Sequence, residues 1–256
     1  MRPFSDLTAS ALARVRVLAA DVDDTITLHG KITGGSVACI EALGKVGIAV
    51  ALVTGRPAGW AQAVSCYLPA VKVAVAENGL VAFDGVGTRR DLGPSRGPEF
   101  FTRLAEESAR VREKYTLAVT PDDPFRLFER AFIRPPGFDA AALAECQKLV
   151  SSDFEVMASS IHIHVRPRGW DKADGLFAAL APIAPEACAR PDESILYVGD
   201  SSNDRSLFSR LRRTSVGVAN VSRFLDELGD DRPAFITQGE SARGFAEVAT
   251  ALLAAR

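Results

Sequence analysis

The chain alternates short, almost wholly apolar runs with helical patterns, first near its start and again near its end. The runs "RVRVLAADVDD", "IAVALVTGR", "VKVAVAENG", "SILYVGDSS" and "TSVGVA" are each followed by a segment with helical periodicity. Strands that are apolar throughout, rather than at every second residue, are typical of a parallel sheet covered by helices on both faces. This pattern predicts an α/β fold.

The middle of the chain follows a different pattern. It combines a hairpin-like segment around residues 85–87, a strongly periodic helix over 98–115, and strand patterns over 125–135 and 159–167 with a helix pattern over 139–151 between them. Antiparallel strands and helices in this order indicate a small α+β module inserted into the α/β domain. We therefore predict that residues 1–81 and 169–256 form the main domain and residues 82–168 the inserted one.

Composition excludes several classes of protein. The net charge is −2, from 30 basic and 32 acidic residues, so no overall positive field favours a nucleic-acid partner. The four cysteines are scattered without a C-x-x-C pair, which disfavours a disulfide framework or a zinc site and fits a reducing, cytoplasmic setting. No signal peptide is expected, because Arg14 and Arg16 interrupt the first apolar segment, and no membrane span is expected either.

Polar residues cluster where three of the predicted parallel strands end. The clusters are "DVDDT", "TGR" and "GDSSND". Because ligands bind at the carboxyl ends of strands in an open parallel sheet, these segments are expected to share one rim. Carboxylates that repel one another there require a cation, and an all-oxygen ligand set favours Mg²⁺ over Mn²⁺ or Ca²⁺. The residues expected at this rim are Asp21, Asp23, Thr54, Asp200 and Asp204.

The same residue types are suited to phosphoryl transfer. One aspartate can attack phosphorus and form an aspartyl-phosphate, and another, two residues later, can act as general acid and base. Thr54 and the Gly55 amide can hold phosphate oxygens, and Lys172, which opens a predicted helix, supplies positive charge. The sequence therefore predicts a Mg²⁺-dependent site for a phosphorylated ligand.

In order and spacing, "DVDDTIT", "TGRP", "DK" and "GDSSND" resemble the four motifs of the haloacid dehalogenase-like (HAD) phosphohydrolases. The resemblance covers nearly the whole chain, and the insertion between motifs two and three is similar to the C2-type cap of the Cof-like branch. It implies a Rossmann-like core with a parallel sheet and an α+β cap over residues 82–168. It also implies a role for each matched residue: Asp21 as nucleophile, Asp23 as acid and base, Lys172 as catalytic lysine, Thr54, Gly55, Arg56 and Asn203 at the phosphate, and Asp21, Asp23, Asp200 and Asp204 at the metal.

Several residues allow more than one interpretation. Asp24 stands where the family often has glycine. Arg56 is either a phosphate ligand or half of a surface ion pair. His162 and His164 share one face of a predicted strand, which we interpret as a cap surface facing the cleft rather than a metal site. Three arginines spaced four residues apart, which would share a face of one strand, form either an anion grip or a solvated surface: Arg126, Arg130 and Arg134.

The sequence thus predicts a phosphatase that hydrolyses a phosphomonoester of a small metabolite, either a sugar phosphate or a phosphoglycerate-type ester. Its only expected partner is that phosphorylated metabolite, without nucleic acid or membrane, and its oligomeric state is left open. A sugar phosphomutase of the same fold and a non-catalytic ligand-binding protein of the family are the alternatives. Release of inorganic phosphate would distinguish the first choice from both.

Overall fold

The structure is a computed structural model, and it describes residues 1–93 and 95–256. Apolar, β-branched segments form its strands, as the sequence pattern predicts. The strands are β1 (Arg2–Pro3), β2 (Val17–Ala20), β3 (Thr27–Leu28), β4 (Lys31–Ile32), β5 (Ala49–Val53), β6 (Val71–Ala76), β7 (Val81–Asp84), β8 (Arg89–Asp91), β9 (Arg130–Ile133), β10 (Phe154–Ala158), β11 (His162–Pro167), β12 (Ile195–Gly199), β13 (Ser215–Gly217) and β14 (Phe235–Ile236).

Helices follow most of these strands. The α-helices are α1 (Ala9–Leu12), α2 (Gly34–Lys45), α3 (Ala58–Tyr67), α4 (Pro98–Tyr115), α5 (Ala140–Leu149), α6 (Lys172–Leu180), α7 (Pro185–Ala189), α8 (Pro191–Ser194), α9 (Arg205–Arg210), α10 (Leu225–Leu228) and α11 (Ser241–Ala254). Short 3₁₀ turns lie at Phe4–Asp6, Glu77–Gly79, Asp123–Phe125, Ser202–Asp204 and Ala219–Phe224.

The larger sheet runs in the order β1-β14-β13-β12-β2-β5-β6-β7-β8. Along this spatial order, each neighbouring pair from β1 through β14, β13, β12, β2 and β5 to β6 is parallel. Strand β7, in contrast, pairs antiparallel with both β6 and β8. Every residue of β2 and β12 is buried, because helices pack on both faces of the sheet and form two apolar clusters. The predicted α/β class is confirmed. With β2 between β12 and β5, the carboxyl ends of these three strands lie side by side.

The inserted segment has its own sheet and core. Strands β10, β11 and β9 form an antiparallel sheet in that order, and α4 and α5 pack against it around a third apolar cluster. Helix α4 covers residues 98–115, as its periodicity predicts, and Asp139 caps α5 by accepting a hydrogen bond from the Ala142 amide at 2.9 Å. This unit is therefore a packed module and not a long loop.

Three details of the sequence interpretation need correction. Strands β7 and β8 extend the larger sheet, so by sheet membership the insertion begins after Asp91 rather than at residue 82. Strand β9 is shorter than the pattern over 125–135, because Asp123–Phe125 is a 3₁₀ turn and the chain joins the sheet only at Arg130. The segment "VSRFLDEL" is not one helix: its first half belongs to the 3₁₀ turn that ends at Phe224, and its second half is one short turn of α-helix at Leu225–Leu228.

Membrane insertion through a helix finds no support in the described part of the chain. None of the helices there combines the length and the apolar character that crossing a bilayer requires.

Candidate active site

Three buried carboxylates meet at the carboxyl end of the larger sheet. Asp21 directly follows β2, Asp200 directly follows β12, and Asp204 lies in the turn after Asp200. The Asp21 amide donates to the Val198 carbonyl oxygen at 2.9 Å, which ties the two strand ends together. One carboxylate oxygen from each of the three aspartates lies within 4.8 Å of the others. The prediction that distant loops deliver acids to one rim agrees with this geometry.

Lys172 lies among these carboxylates. Its Nζ donates to Asp21 Oδ1 at 2.8 Å and to Asp204 Oδ1 at 2.7 Å, and its side chain is fully buried. The preceding Asp171 caps α6 by accepting hydrogen bonds from the Ala173 and Asp174 amides. Helix α6 also approaches the turn at Glu77–Gly79 closely, since a Cβ on Gly175 would lie 2.4 Å from the Gly79 Cα. These local contacts direct Lys172 into the site.

Asp204 uses both of its oxygens within the protein. Oδ1 accepts from Lys172 and from the Tyr197 hydroxyl at 2.5 Å, and Oδ2 accepts from the amides of Asp200 at 2.8 Å and Ser201 at 3.2 Å. Four donors therefore fix this carboxylate, and it in turn fixes Lys172. Tyr197 is a site residue that the sequence interpretation missed, because as an inward-facing strand residue it is indistinguishable from ordinary core.

Asp200 has weaker partners. Thr25 Oγ1 donates to its Oδ1 at 3.4 Å, and Asn220 Nδ2 donates to its Oδ2 at 3.3 Å. Asn220 also donates to the Asp24 carbonyl oxygen at 3.1 Å, so it links the first and fourth motifs. Asp24 has a φ of 53°, in the left-handed region where glycine is preferred, so the loop forms with aspartate in place of the usual glycine.

The electrostatics of this cluster favour a divalent cation. Burial raises the pKa of Asp21 to about 7 despite the adjacent Lys172 ammonium, and it raises the pKa of Asp200 well above its ordinary value, with Asp21 and Asp204 adding to the effect. Three carboxylates and one ammonium leave an uncompensated negative charge in a buried place. Because all the donors are carboxylate oxygens, the cluster fits a hard cation.

Asp23 lies apart from this cluster. Its carboxylate forms a two-pronged ion pair with Arg56, from Nε to Oδ2 at 2.8 Å and from Nη2 to Oδ1 at 2.6 Å. Arg56 also reaches Asp122 of the inserted module, with Nη1 3.4 Å from Oδ2. The Asp23 side chain is therefore not among the three grouped carboxylates, and its predicted place at the metal stays a prediction. Arg56 is an ion-pair partner in this structure.

The loop after β5 carries Thr54 and Gly55. Thr54 is fully buried, and its Oγ1 accepts from the Arg56 amide at 3.0 Å. A Cβ on Gly55 would lie 3.1 Å from Asn78 Oδ1 and 3.2 Å from His164 Cε1, so glycine permits this close approach. We call residues 54–56 the phosphate loop. Its predicted contact with phosphate stays a prediction.

The inserted module covers this loop with buried charged side chains. Arg126 Nη1 donates to the Gly55 carbonyl oxygen at 2.8 Å and to Glu129 Oε1 at 2.5 Å, and His164 Nδ1 lies 2.9 Å from the same Glu129 oxygen. His162 and His164 lie on one side of β11, with ring centroids 5.9 Å apart. The interpretation of these histidines as part of a surface facing the cleft agrees with their position.

The three arginines of the predicted strand do not share a face. Arg126 is buried in the turn before β9, Arg130 lies 4.0 Å from Asp123, and Arg134 forms an ion pair with Glu227 of the core at 3.0 Å. The expected common face is wrong, because β9 begins only at Arg130.

Asn203, the remaining predicted phosphate residue, is held by two neighbours. Its Oδ1 accepts from Ser201 Oγ at 2.9 Å, and its Nδ2 donates to Asn78 Oδ1 at 3.3 Å. In the sequence, Glu77 and Asn78 stand only at the end of an apolar strand pattern, and Glu129 stands within a strand pattern beside Arg130. No local signal identifies their role, since it depends on contacts between the two modules.

The curated proteins that this chain is similar to are phosphatases, which agrees with the geometry of the site. No family model matches the chain. It is 27% identical to the phosphoglycolate phosphatase of Archaeoglobus fulgidus over 217 residues, covering 84% of this chain and 88% of that one. It is also 27% identical to the phosphoglycolate phosphatase of Methanothermobacter thermautotrophicus over 236 residues, covering 91% and 96%.

Among solved structures, a HAD/COF-like hydrolase from Plasmodium vivax superposes with a TM-score of 0.72 at 17% identity, covering 97% of this chain and all of that one. At that identity the likeness speaks for the fold alone. Together with the curated relatives and the four motifs, it confirms the predicted resemblance of the chain to Cof-type phosphatases of the HAD superfamily.

Proposed function

We propose that this chain hydrolyses a phosphomonoester of a small metabolite, with Mg²⁺ as cofactor and an aspartyl-phosphate on Asp21 as the intermediate. The observation that carries the proposal is the pair of hydrogen bonds from Lys172 Nζ to Asp21 and Asp204, beside the Asp200 carboxylate. That arrangement joins a buried nucleophile, a fixed cation and a place for a metal. Phosphatase activity on small phosphorylated metabolites agrees with the named relatives.

In the first half-reaction, Asp21 would attack phosphorus in line with the leaving oxygen. Lys172 favours the ionised form of the attacking carboxylate and orients it, and it offers positive charge to the transferring group. The Thr54 hydroxyl and the amides of the phosphate loop would bind the non-bridging oxygens, which carry the charge of the transition state.

Asp21 and Asp200 are the residues that would hold the metal, because Asp204 already accepts four hydrogen bonds. When bound, Mg²⁺ supplies charge neutralisation for the carboxylates and the phosphoryl oxygens. Asp204 then acts by fixing Lys172 and the turn that follows Asp200.

Asp23 would protonate the leaving oxygen and afterwards activate the water that hydrolyses the aspartyl-phosphate. The ion pair with Arg56 holds the Asp23 carboxylate in place through two hydrogen bonds. Protonating the leaving oxygen requires this pair to open, and an arriving phosphate dianion is a competing partner for Arg56.

We further propose that the substrate is a small phosphorylated acid of the phosphoglycolate type. Both reported relatives carry that name, and two arginines lie at the phosphate loop: Arg56 is part of it, and Arg126 donates to the Gly55 carbonyl oxygen. We also place the protein in a reducing compartment such as the cytoplasm, which agrees with the four cysteines being free thiols.

The test is inorganic phosphate release by the full chain from phosphoglycolate, phosphoglycerates and hexose phosphates. Activity should disappear with excess EDTA and return with Mg²⁺, and phosphoglycolate should have the highest kcat/KM. Interconversion of sugar phosphate isomers without phosphate release would instead support a phosphomutase. Absence of turnover on the whole panel with Mg²⁺ present would overturn the proposal.

A further inference from the structure

The turn Glu77–Gly79, which follows β6, has an unusual backbone. Glu77 and Asn78 have φ values of 51° and 53°, so two consecutive non-glycine residues adopt the left-handed conformation, and both side chains are fully buried. L-residues with side chains enter this region at a cost in free energy, and asparagine tolerates it better than most. Such a turn persists only when surrounding contacts hold it in place.

Asn78 makes contacts with three separate parts of the molecule. Its amide donates to the Thr54 carbonyl oxygen at 3.0 Å, in the phosphate loop. Its Oδ1 accepts from Asn203 Nδ2 at 3.3 Å, in the turn that also carries Asp204. Its Nδ2 donates to Glu129 Oε2 at 3.1 Å, in the inserted module. Asn78 therefore connects three parts of the molecule: its main-chain amide holds the phosphate loop, and its side chain joins the fourth motif to the inserted module.

The contact with Glu129 leads back to the phosphate loop by a second route. Arg126 Nη1 donates both to Glu129 Oε1 and to the Gly55 carbonyl oxygen. Glu77 strengthens the connection: its Oε1 accepts from the Leu127 amide at 2.8 Å and its Oε2 from the Phe128 amide at 2.6 Å. The Glu77 amide itself donates to the Arg56 carbonyl oxygen at 3.0 Å. The turn Glu77–Gly79 thus holds the phosphate loop through main-chain hydrogen bonds and binds the inserted module through its side chains.

We infer that Asn78 is a positioning residue, which couples the seating of the inserted module to the geometry of the phosphate loop. It does not contact the substrate in this role. It acts through Thr54, Asn203 and Glu129, so that the loop is correctly formed when the module is in place. The inference rests on the proposed function for its catalytic consequence, but the coupling itself concerns contacts within the chain.

The competing explanation is that Asn78 is only a turn former. Glycine separates the two explanations, because it adopts a φ of 53° without steric cost but has no side chain to bond Asn203 or Glu129. Asn78→Gly therefore keeps the backbone conformation of the turn and removes the side-chain hydrogen bonds to Asn203 and Glu129. Asn78→Asp keeps the acceptor for Asn203 but sets a second carboxylate against Glu129, which breaks the contact with the module.

The experiment measures kcat and KM for phosphoglycolate, the melting temperature and amide hydrogen exchange over residues 124–133. It compares the full-length wild type with Asn78→Gly and Asn78→Asp. Thr116→Gly is the matched control, since Thr116 has a φ of 50° at the exposed end of α4, where its amide donates to the Glu113 carbonyl oxygen. We expect Asn78→Gly to lower kcat/KM at least tenfold, mainly through kcat, because a displaced loop no longer holds the transferring group in line with the Asp21 carboxylate.

We also expect faster exchange over 124–133 in both Asn78 variants, without a matching fall in the melting temperature of Asn78→Gly. Thr116→Gly should match the wild type in both readouts. Exchange that is unchanged in both Asn78 variants, or a kcat/KM of Asn78→Gly within twofold of the wild type, would overturn the inference. If the wild type hydrolyses no ester, the proposed function fails, and hydrogen exchange still decides the role of Asn78.

Discussion

The rim of the larger sheet and the underside of the inserted module both carry buried charges, but they are built in different ways. At the rim, Asp21 and Asp200 are the residues that directly follow β2 and β12, so strand position alone brings them together. Under the module, Arg126 and Glu129 lie in and just after an irregular turn, and they contact the core through Gly55 and Asn78.

This difference in construction suggests that the chemistry of the site and the positioning of its loops can be altered separately. At the rim, three carboxylates share the single ammonium of Lys172, whereas on the module side Glu129 has both Arg126 and His164 beside it. Changes at the rim should therefore affect chemistry most, and changes on the module side should affect positioning and access.

The largest effect is expected for Asp21→Asn. The amide cannot form an aspartyl-phosphate, so turnover should fall by about 10⁴-fold or more. The variant should remain folded, because it also removes one of the repelling charges next to Asp200. Phosphate release and far-UV circular dichroism measure the two properties, and surviving turnover would show that Asp21 is not the nucleophile.

Lys172→Met should damage both stability and activity. It leaves the buried carboxylates of Asp21 and Asp204 without their cation, which costs about 3 kcal/mol or more in the free energy of unfolding. Lys148→Met is the control, because Lys148 pairs with Glu145 on the surface and should change stability by less than about 1 kcal/mol. Urea unfolding of both variants checks the contrast, and equal losses would contradict the account.

A smaller effect is expected where the inserted module meets the fourth motif. Glu227 Oε1 accepts from Arg134 at 3.0 Å and its Oε2 accepts from Ser202 Oγ at 2.6 Å, so this carboxylate joins the module to the turn beside Asn203. Glu227→Ala should lower kcat/KM by roughly tenfold, chiefly through KM, since closure of the cleft becomes less favourable. Glu240→Ala, which removes the surface pair with Arg223, should leave kcat/KM unchanged.

The smallest effect concerns His162. Burial, together with nearby His164, Arg126 and Arg56, lowers the pKa of His162 to about 3. The ring should therefore stay neutral from pH 5 to 8, as NMR titration of its proton resonances would show. Because the unfolded chain binds this proton near pH 6.5, His162 should lower the stability of the fold progressively as the pH falls from about 6.5 towards 3. A midpoint near 6.5 in the folded protein would contradict the position described here.

The rim could be predicted from the sequence better than the module side, because its residues are placed by strand ends and a helix start. Asp21, Thr54, Lys172 and Asp200 could be predicted because each is adjacent to a strand end or a helix start, and those positions follow from the local pattern. The Asp23–Arg56 pair could not be predicted, since both residues lie on loops whose facing direction depends on the packed structure.

The module side was harder for two reasons. Strand β9 is interrupted by a 3₁₀ turn, so equal spacing did not put Arg126, Arg130 and Arg134 on one face. The boundary was misplaced because β7 and β8 form a hairpin on the edge of the larger sheet, and a hairpin pattern does not reveal which sheet it joins. Both outcomes depend on tertiary contacts rather than on local preference.

The central claim is that Asp21, held by Lys172 beside Asp200, becomes phosphorylated during turnover. Borohydride added while the enzyme turns over phosphoglycolate with Mg²⁺ reduces an aspartyl-phosphate to homoserine, which peptide mass spectrometry can locate. The account predicts homoserine at position 21, only when substrate is present. Homoserine at position 23, or undiminished turnover with no modified aspartate, would contradict it.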